Sequence, residues 1–137
     1  MLKKDITYTD FNGVERKETF WFHLSKAELL DMEMTTTGGY AEMVQRIVDA
    51  KDAPALIHIF KDLIRKSYGI KSEDGRRFIK SDELFEEFSQ TEAYSQLYME
   101  LTLNADKAAE FANGIMPQGL EADLKKFVPA ATAPTAI

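Results

Sequence analysis

The chain has no cysteine. Disulfide staples, thiolate nucleophiles and cysteine-held zinc are all excluded by that one absence, which also fits a reducing cytoplasm. Histidine is scarce, with 2 in 137 residues. His58 has Asp62 four residues on, but a lone His-x-x-x-Asp pair falls short of the three or four ligands a metal needs; His58 and His23 both read as structural or solvent-edge histidines. No run of about 18 apolar residues is present, as a membrane-crossing helix requires. The opening Met1-Leu2-Lys3-Lys4-Asp5-Ile6 lacks the apolar stretch of a secretion signal. Positive charge is also short: 17 Lys and Arg face 23 Asp and Glu, for a net charge of −6. That balance disfavours nucleic-acid binding, because neutralising phosphates takes a basic surface.

Sequence signatures of catalysis are missing as well. There is no G-x-x-x-x-G-K-[ST], no G-x-G-x-x-G and no G-x-S-x-G. Thr37-Gly38-Gly39-Tyr40 reads as a flexible connection, not an anion cradle. The adjacent carboxylates Asp82-Glu83 and Glu86-Glu87 lie along one helix surface and do not converge across a cleft as paired catalytic acids must. No catalytic, cofactor-binding or metal-binding residue is therefore assigned.

What is present is a soluble globular composition, 45% hydrophobic and 29% charged. The length suits one domain with its own core. We expect that domain to span 1–127, with a flexible tail over 128–137, where VPAATAPTAI is small, Pro-containing and uncharged. The N-terminal segment predicts a β-hairpin over about 3–22. Asn12-Gly13 lies between strand patterns at Lys3–Thr9 and Val14–Phe22. A two-residue loop would set Ile6 and Tyr8 on the face of Lys17 and Thr19. A three-residue loop Phe11-Asn12-Gly13, with Gly13 as a bulge, groups them with Phe20 and Phe22 and is preferred. Trp21 then points the other way, either under a later helix or into an interface.

Helical patterns fill about 25–127. Ser25-Lys26-Ala27-Glu28 forms a capping box, with Leu24 and Leu29 as its staple, and this helix runs to about Met34. Thr35–Gly39 breaks it. Met43, Val44, Ile47 and Val48 form a stripe over Tyr40–Ala50. Asp52 and Pro54 begin the strongest helix, Ala53 to Tyr68, closed by Gly69 at the position after the cap. Ile70–Lys80 reads as a loop, pinned to the core by Phe78 and Ile79. Ser81, Thr91 and Asn104 cap three further helices, the last over Ala105–Asn113 and closed by Gly114; a short one is expected over Leu120–Phe127. The fold class is α+β, mostly α: a hairpin followed by five or six helices.

Two features could touch a partner. Arg65, Lys66, Lys71, Arg76, Arg77 and Lys80 form the one basic cluster in an acidic chain. Three readings stay open for the Arg76-Arg77 loop: docking of an acidic partner, a small regulator's contact with nucleic acid, or pairing with Asp74, Asp82 and Glu83. The aromatics Phe85, Phe88, Tyr94 and Tyr98 fit a core, and their tyrosines also suit wet interfaces. Met32, Met34, Met43 and Met99 add adaptable apolar surface. Arg76, Arg77, Phe85, Phe88, Tyr94, Tyr98 and Trp21 are the candidate partner-binding residues.

The string Lys66–Leu101, KSYGIKSEDGRRFIKSDELFEEFSQTEAYSQLYMEL, resembles the tail assembly chaperones of long-tailed phages and prophages, mainly from Gram-positive hosts. Agreement extends to the Asn-Gly hairpin, FHLSKAEL, QRIVDAKD and NADKAAEFANGIMP, so about residues 1 to 120 are covered. AATAPTAI carries no resemblance. The resemblance implies a non-enzyme, without cofactor, that acts in the bacterial cytoplasm. It implies binding of the helical tape-measure protein, which is kept soluble until tail-tube subunits polymerise around it. The tail-tube protein is a further implied partner and self-association is expected. The chaperone would be absent from the finished virion.

Overall fold

The structure, a computed structural model, describes residues 1–116. The expected Leu120–Phe127 helix and the 128–137 tail lie outside the described residues. The hairpin forms with the preferred loop. Strands β1 (Leu2–Thr9) and β2 (Glu15–Phe22) pair antiparallel with Ile6 opposite Glu18 and Tyr8 opposite Arg16. Asp10 N–H donates to the Val14 carbonyl at 2.8 Å, which leaves Phe11-Asn12-Gly13 as the loop. Gly13 has φ 79°, a left-handed conformation that costs glycine little. The Asp10 carboxylate accepts from Asn12 and Val14 amides and pairs with Arg16 at 2.6 Å, locking the turn. Ile6, Tyr8 and Phe22 are buried on one face, with Phe20 half-buried beside them.

Helices α1 (Lys26–Thr35), α2 (Tyr40–Asp49) and α3 (Ala53–Ser67) follow. The capping box at Ser25 closes in both directions, and Asp52 caps α3 through the Ala55 amide. On α2, Met43, Val44 and Ile47 are half-buried; the Val48 side chain lies outside the described residues. The segment read as a loop, Ile70–Lys80, is instead a second hairpin. β3 (Tyr68–Lys71) and β4 (Phe78–Ile79) extend the sheet to the order β1-β2-β3-β4. The chain passes from helix to strand without a break, because Tyr68, with ψ 138°, is already extended. His23 N–H then donates to the Ser67 carbonyl at 2.8 Å and draws β3 alongside β2. Strands this short carry no periodic signal.

Gly69 is therefore not a helix-closing residue. It sits in β3 opposite Trp21, and a Cβ there would lie 2.6 Å from the Phe78 ring and 2.7 Å from the Ile79 carbonyl. Its role is close approach. Gly114 likewise does not end its helix. Helix α6 (Ala105–Ile115) continues one residue further, because Ile115 is fully buried and its carbonyl accepts from Leu24 N–H at 3.0 Å. Gly114 leaves room for the Leu2 side chain.

Helices α4 (Asp82–Ser89) and α5 (Glu92–Leu103), capped by Ser81 and Thr91, complete the fold. The helices pack on one face of the sheet. Their shared core joins Phe22, Leu24, Ile64, Phe88, Leu97, Leu101, Phe111 and Ile115. Gly69→Ala is expected to lower unfolding free energy by about 1–3 kcal/mol, the typical cost of overpacking a tight site. Urea denaturation measures it; an unchanged midpoint would show that β3 and β4 have room to separate.

Candidate protein-binding surface

The Arg76-Arg77 loop is held rigidly by its own backbone. Ser72 N–H donates to the Arg77 carbonyl at 2.9 Å, and Gly75 N–H to the Ser72 carbonyl at 2.9 Å. The Asp74 carboxylate accepts from the Ser72 hydroxyl and the Arg76 amide, which hold its pKa below the usual carboxylate value. Gly75 supplies the left-handed corner at φ 71°. Both arginines project into solvent. Neither pairs with a carboxylate among the described residues: Asp74 is occupied as above, and Asp82 takes Arg65 at 3.1 Å.

The aromatic candidates separate by depth. Phe88 is 2% exposed and stacks on Tyr68 at 4.4 Å, with Phe20 at 4.9 Å. It belongs to the core. Phe85 is also buried, but its ring is reached from outside: the Arg65 guanidinium lies 5.0 Å above it and Tyr94 meets its edge at 5.8 Å. Tyr94 is half-buried, and burial first, then Tyr98, raises its pKa. Tyr98 stacks on Tyr94 at 6.2 Å and is half-buried. Trp21 lies apart on the opposite face of the sheet, with the Lys71 ammonium 4.0 Å over its ring.

Around Phe85 the helices leave a cleft of about 470 Å³ between α1, α3 and the start of α4. Leu24, Met32 and Phe85 supply apolar lining. Glu28, Asp62, Arg65, Lys66, Lys80 and Asp82 ring it with charge. Lys80 reaches Glu28 at 2.7 Å, tying α1 to the entry of α4, and Arg65 ties α3 to α4 through Asp82. A smaller hollow of about 190 Å³ adjoins it, lined by His58, Lys61, Asp62, Arg65, Phe85 and Tyr94. Arg65, Asp62 and Phe85 are common to both. The cleft thus gathers Phe85 from the sequence candidates, the adjoining hollow adds Tyr94, and Arg76, Arg77, Phe88, Tyr98 and Trp21 lie elsewhere. Leu24, Glu28 and Asp62 were not among the candidates: the first two carried only the helix signals of a staple and a capping box, and Asp62 drew notice only beside His58 in a lone His-x-x-x-Asp pair.

Burial alone would push the Glu28 carboxyl up, but the hydrogen bonds from Lys80 and Ser25 outweigh it, and its pKa is lowered. Among the described residues no group of three or more His, Asp or Glu is placed to hold a metal ion, and no helix is long and apolar enough to cross a membrane.

Fold and surface together describe a small α+β protein with a charge-rimmed cleft between helices, lined in part by Leu24, Met32 and Phe85. A sequence model of the phage tail assembly chaperones matches residues 1–135, and the chain belongs to that family. No curated protein and no solved structure shows significant similarity to the chain.

The Lys80–Glu28 tie gives a signed pH dependence. A lowered folded-state pKa contributes stability that is present above the ordinary glutamate value and lost as pH falls through the folded value. Glu28→Gln keeps an oxygen for the cap and removes the charge. It is expected to lower stability at neutral pH and to flatten the loss below about pH 4.5, read as urea midpoints across pH. Parallel acid limbs in the two proteins would count against the tie.

Proposed function

We propose that this chaperone binds the helical tape-measure protein of a phage tail, in the bacterial cytoplasm, and holds it soluble until tail-tube subunits polymerise around it. It acts by binding, not catalysis, and leaves before the virion is complete. The carrying observation is the cleft at Phe85 in a chain of this family. A long amphipathic client exposes apolar stripes, and an apolar floor flanked by both signs of charge accepts such a stripe while the rim pairs with its polar flank. Met32 at the cleft adds a side chain that adapts to different apolar partners.

Co-expression with the tape-measure protein is expected to raise the soluble client and to co-purify the pair. Met32→Glu, which sets a charge in the apolar lining, is expected to weaken the complex about tenfold or more, equivalent to about 1.4 kcal/mol, while circular dichroism stays unchanged. No gain in client solubility and no co-purification would sink the proposal.

One observation favours a second reading for the Arg76-Arg77 loop. Arg76 and Arg77 have no carboxylate partner among the described residues, so they are available to an acidic segment or to nucleic acid. A gel shift with short duplex and single-stranded DNA decides the nucleic-acid version. A shift abolished by salt and by Arg76→Glu/Arg77→Glu would support it, and none at low salt would remove it.

A further inference from the structure

Helix α1 is apolar on two sides. Leu29 is buried in the core and Met32 lines the cleft. Ala27, Leu30 and Met34, spaced i, i+3 and i+7, share another side of the helix, away from both. Ala27 is exposed, Leu30 is half-buried and Met34 is 51% exposed. The described chain ends beside the start of this second stripe. The Ile115 carbonyl accepts from Leu24 N–H at 3.0 Å, one residue before the Ser25 cap of α1. Met116 then leaves α6 with extended backbone, ψ 138°.

The geometry points to residues 120–127 of the same chain as the occupant, laid along α1 as a parallel helix. Their sequence, LEADLKKF, sets Leu120, Leu124 and Phe127 at i, i+4 and i+7. At a helical rise of 1.5 Å per residue that stripe is about 10.5 Å long, the same as the stripe from Ala27 to Met34. The chain steps from Met116 to Leu120 reach at most about 14 Å, and Pro117 and Gly119 within them suit a turn. So short a tether starts the segment at the Ala27 end, and the two helices run the same way. Charge agrees with that direction. α1 opens with Lys26 and carries Asp31 and Glu33 further on, whereas the segment opens with Glu121 and Asp123 and carries Lys125 and Lys126 further on. With Leu120 at Ala27, Leu124 meets Leu30 and Phe127 meets Met34. Glu121 and Asp123 then lie toward Lys26, and Lys125 and Lys126 toward Asp31 and Glu33, the last of which also accepts from the Ala41 amide at 3.0 Å. The antiparallel arrangement would bring like charges together at both ends. The docked segment backs α1 on the side away from the cleft, so the helix that carries Glu28 and Met32 is braced from behind. This docking does not depend on what the cleft binds.

Cysteine pairs in the 137-residue chain test this directly, because the sequence has no cysteine of its own. Leu30→Cys/Leu124→Cys is expected to close a disulfide within one chain under mild oxidation, seen as a faster band on a non-reducing gel and as the loss of both thiol hydrogens in the intact mass. Leu103→Cys/Leu124→Cys offers instead the 76% exposed residue at the end of α5 and is expected to stay reduced. Circular dichroism checks that both variants fold. Leu124→Asp alters the segment alone. It is expected to speed hydrogen–deuterium exchange in α1 about tenfold or more and to leave α5 and α6 as they were. Cross-links formed only between chains would make a second copy the occupant and overturn the proposal. A Leu103 cross-link in preference to Leu30, or α1 exchange indifferent to Leu124→Asp, would overturn it as well.

Discussion

One aromatic contact joins the sheet to the helices, and most of the molecule depends on it. Phe88 of α4 stacks on Tyr68, where α3 becomes β3, and touches Phe20 and Phe22 of β2 and Tyr94 of α5. Four elements are held through one ring. Burying a phenylalanine of this kind stabilises by roughly 1.5–3 kcal/mol, with more from favourably tilted ring pairs. Phe22, fully buried, extends the cluster to α6 through Phe111 at 5.3 Å.

The same constraint sets the candidate surface. Phe85 and Phe88 are three residues apart, so a helix places them on one side. With Phe88 committed to the core, Phe85 is carried to the rim, one turn nearer the helix start. There it meets Arg65 and becomes the floor of the cleft. Lys80, just before the Ser81 cap, reaches back to Glu28 on α1. The capping box that starts α1 thus also braces the cleft wall, which couples local helix chemistry to the shape offered to a client.

Much of the fold was legible because it rested on local chemistry. The loop at Gly13, the caps at Ser25, Asp52, Ser81, Thr91 and Asn104, and the inward face of β2 all followed from turn and cap residues or from strand phase. What escaped was set by distant partners. Gly69 carried a helix-closing signal, yet its position is dictated by the ring of Phe78 and the carbonyl of Ile79. The strand at Tyr68–Lys71 exists because β2 offers it an edge. The surface was legible only in part for the same reason. Arg76 and Arg77 stand out in the sequence and pair with no carboxylate among the described residues, whereas the cleft draws Leu24, Met32, Asp62 and Lys80 from separate segments that share no motif.

The proposed long helical client requires apolar grooves that do not collapse on themselves. At the rim the charge pairs Lys80–Glu28 and Arg65–Asp82 join α1 and α3 to the start of α4. Whether client helices lie in the cleft at Phe85 is decided by hydrogen–deuterium exchange of the full chain with and without an amphipathic helix from the tape-measure protein. Slowed exchange is expected in α1 and where α3 and α4 flank the cleft. Protection confined to other elements while the complex forms would contradict it.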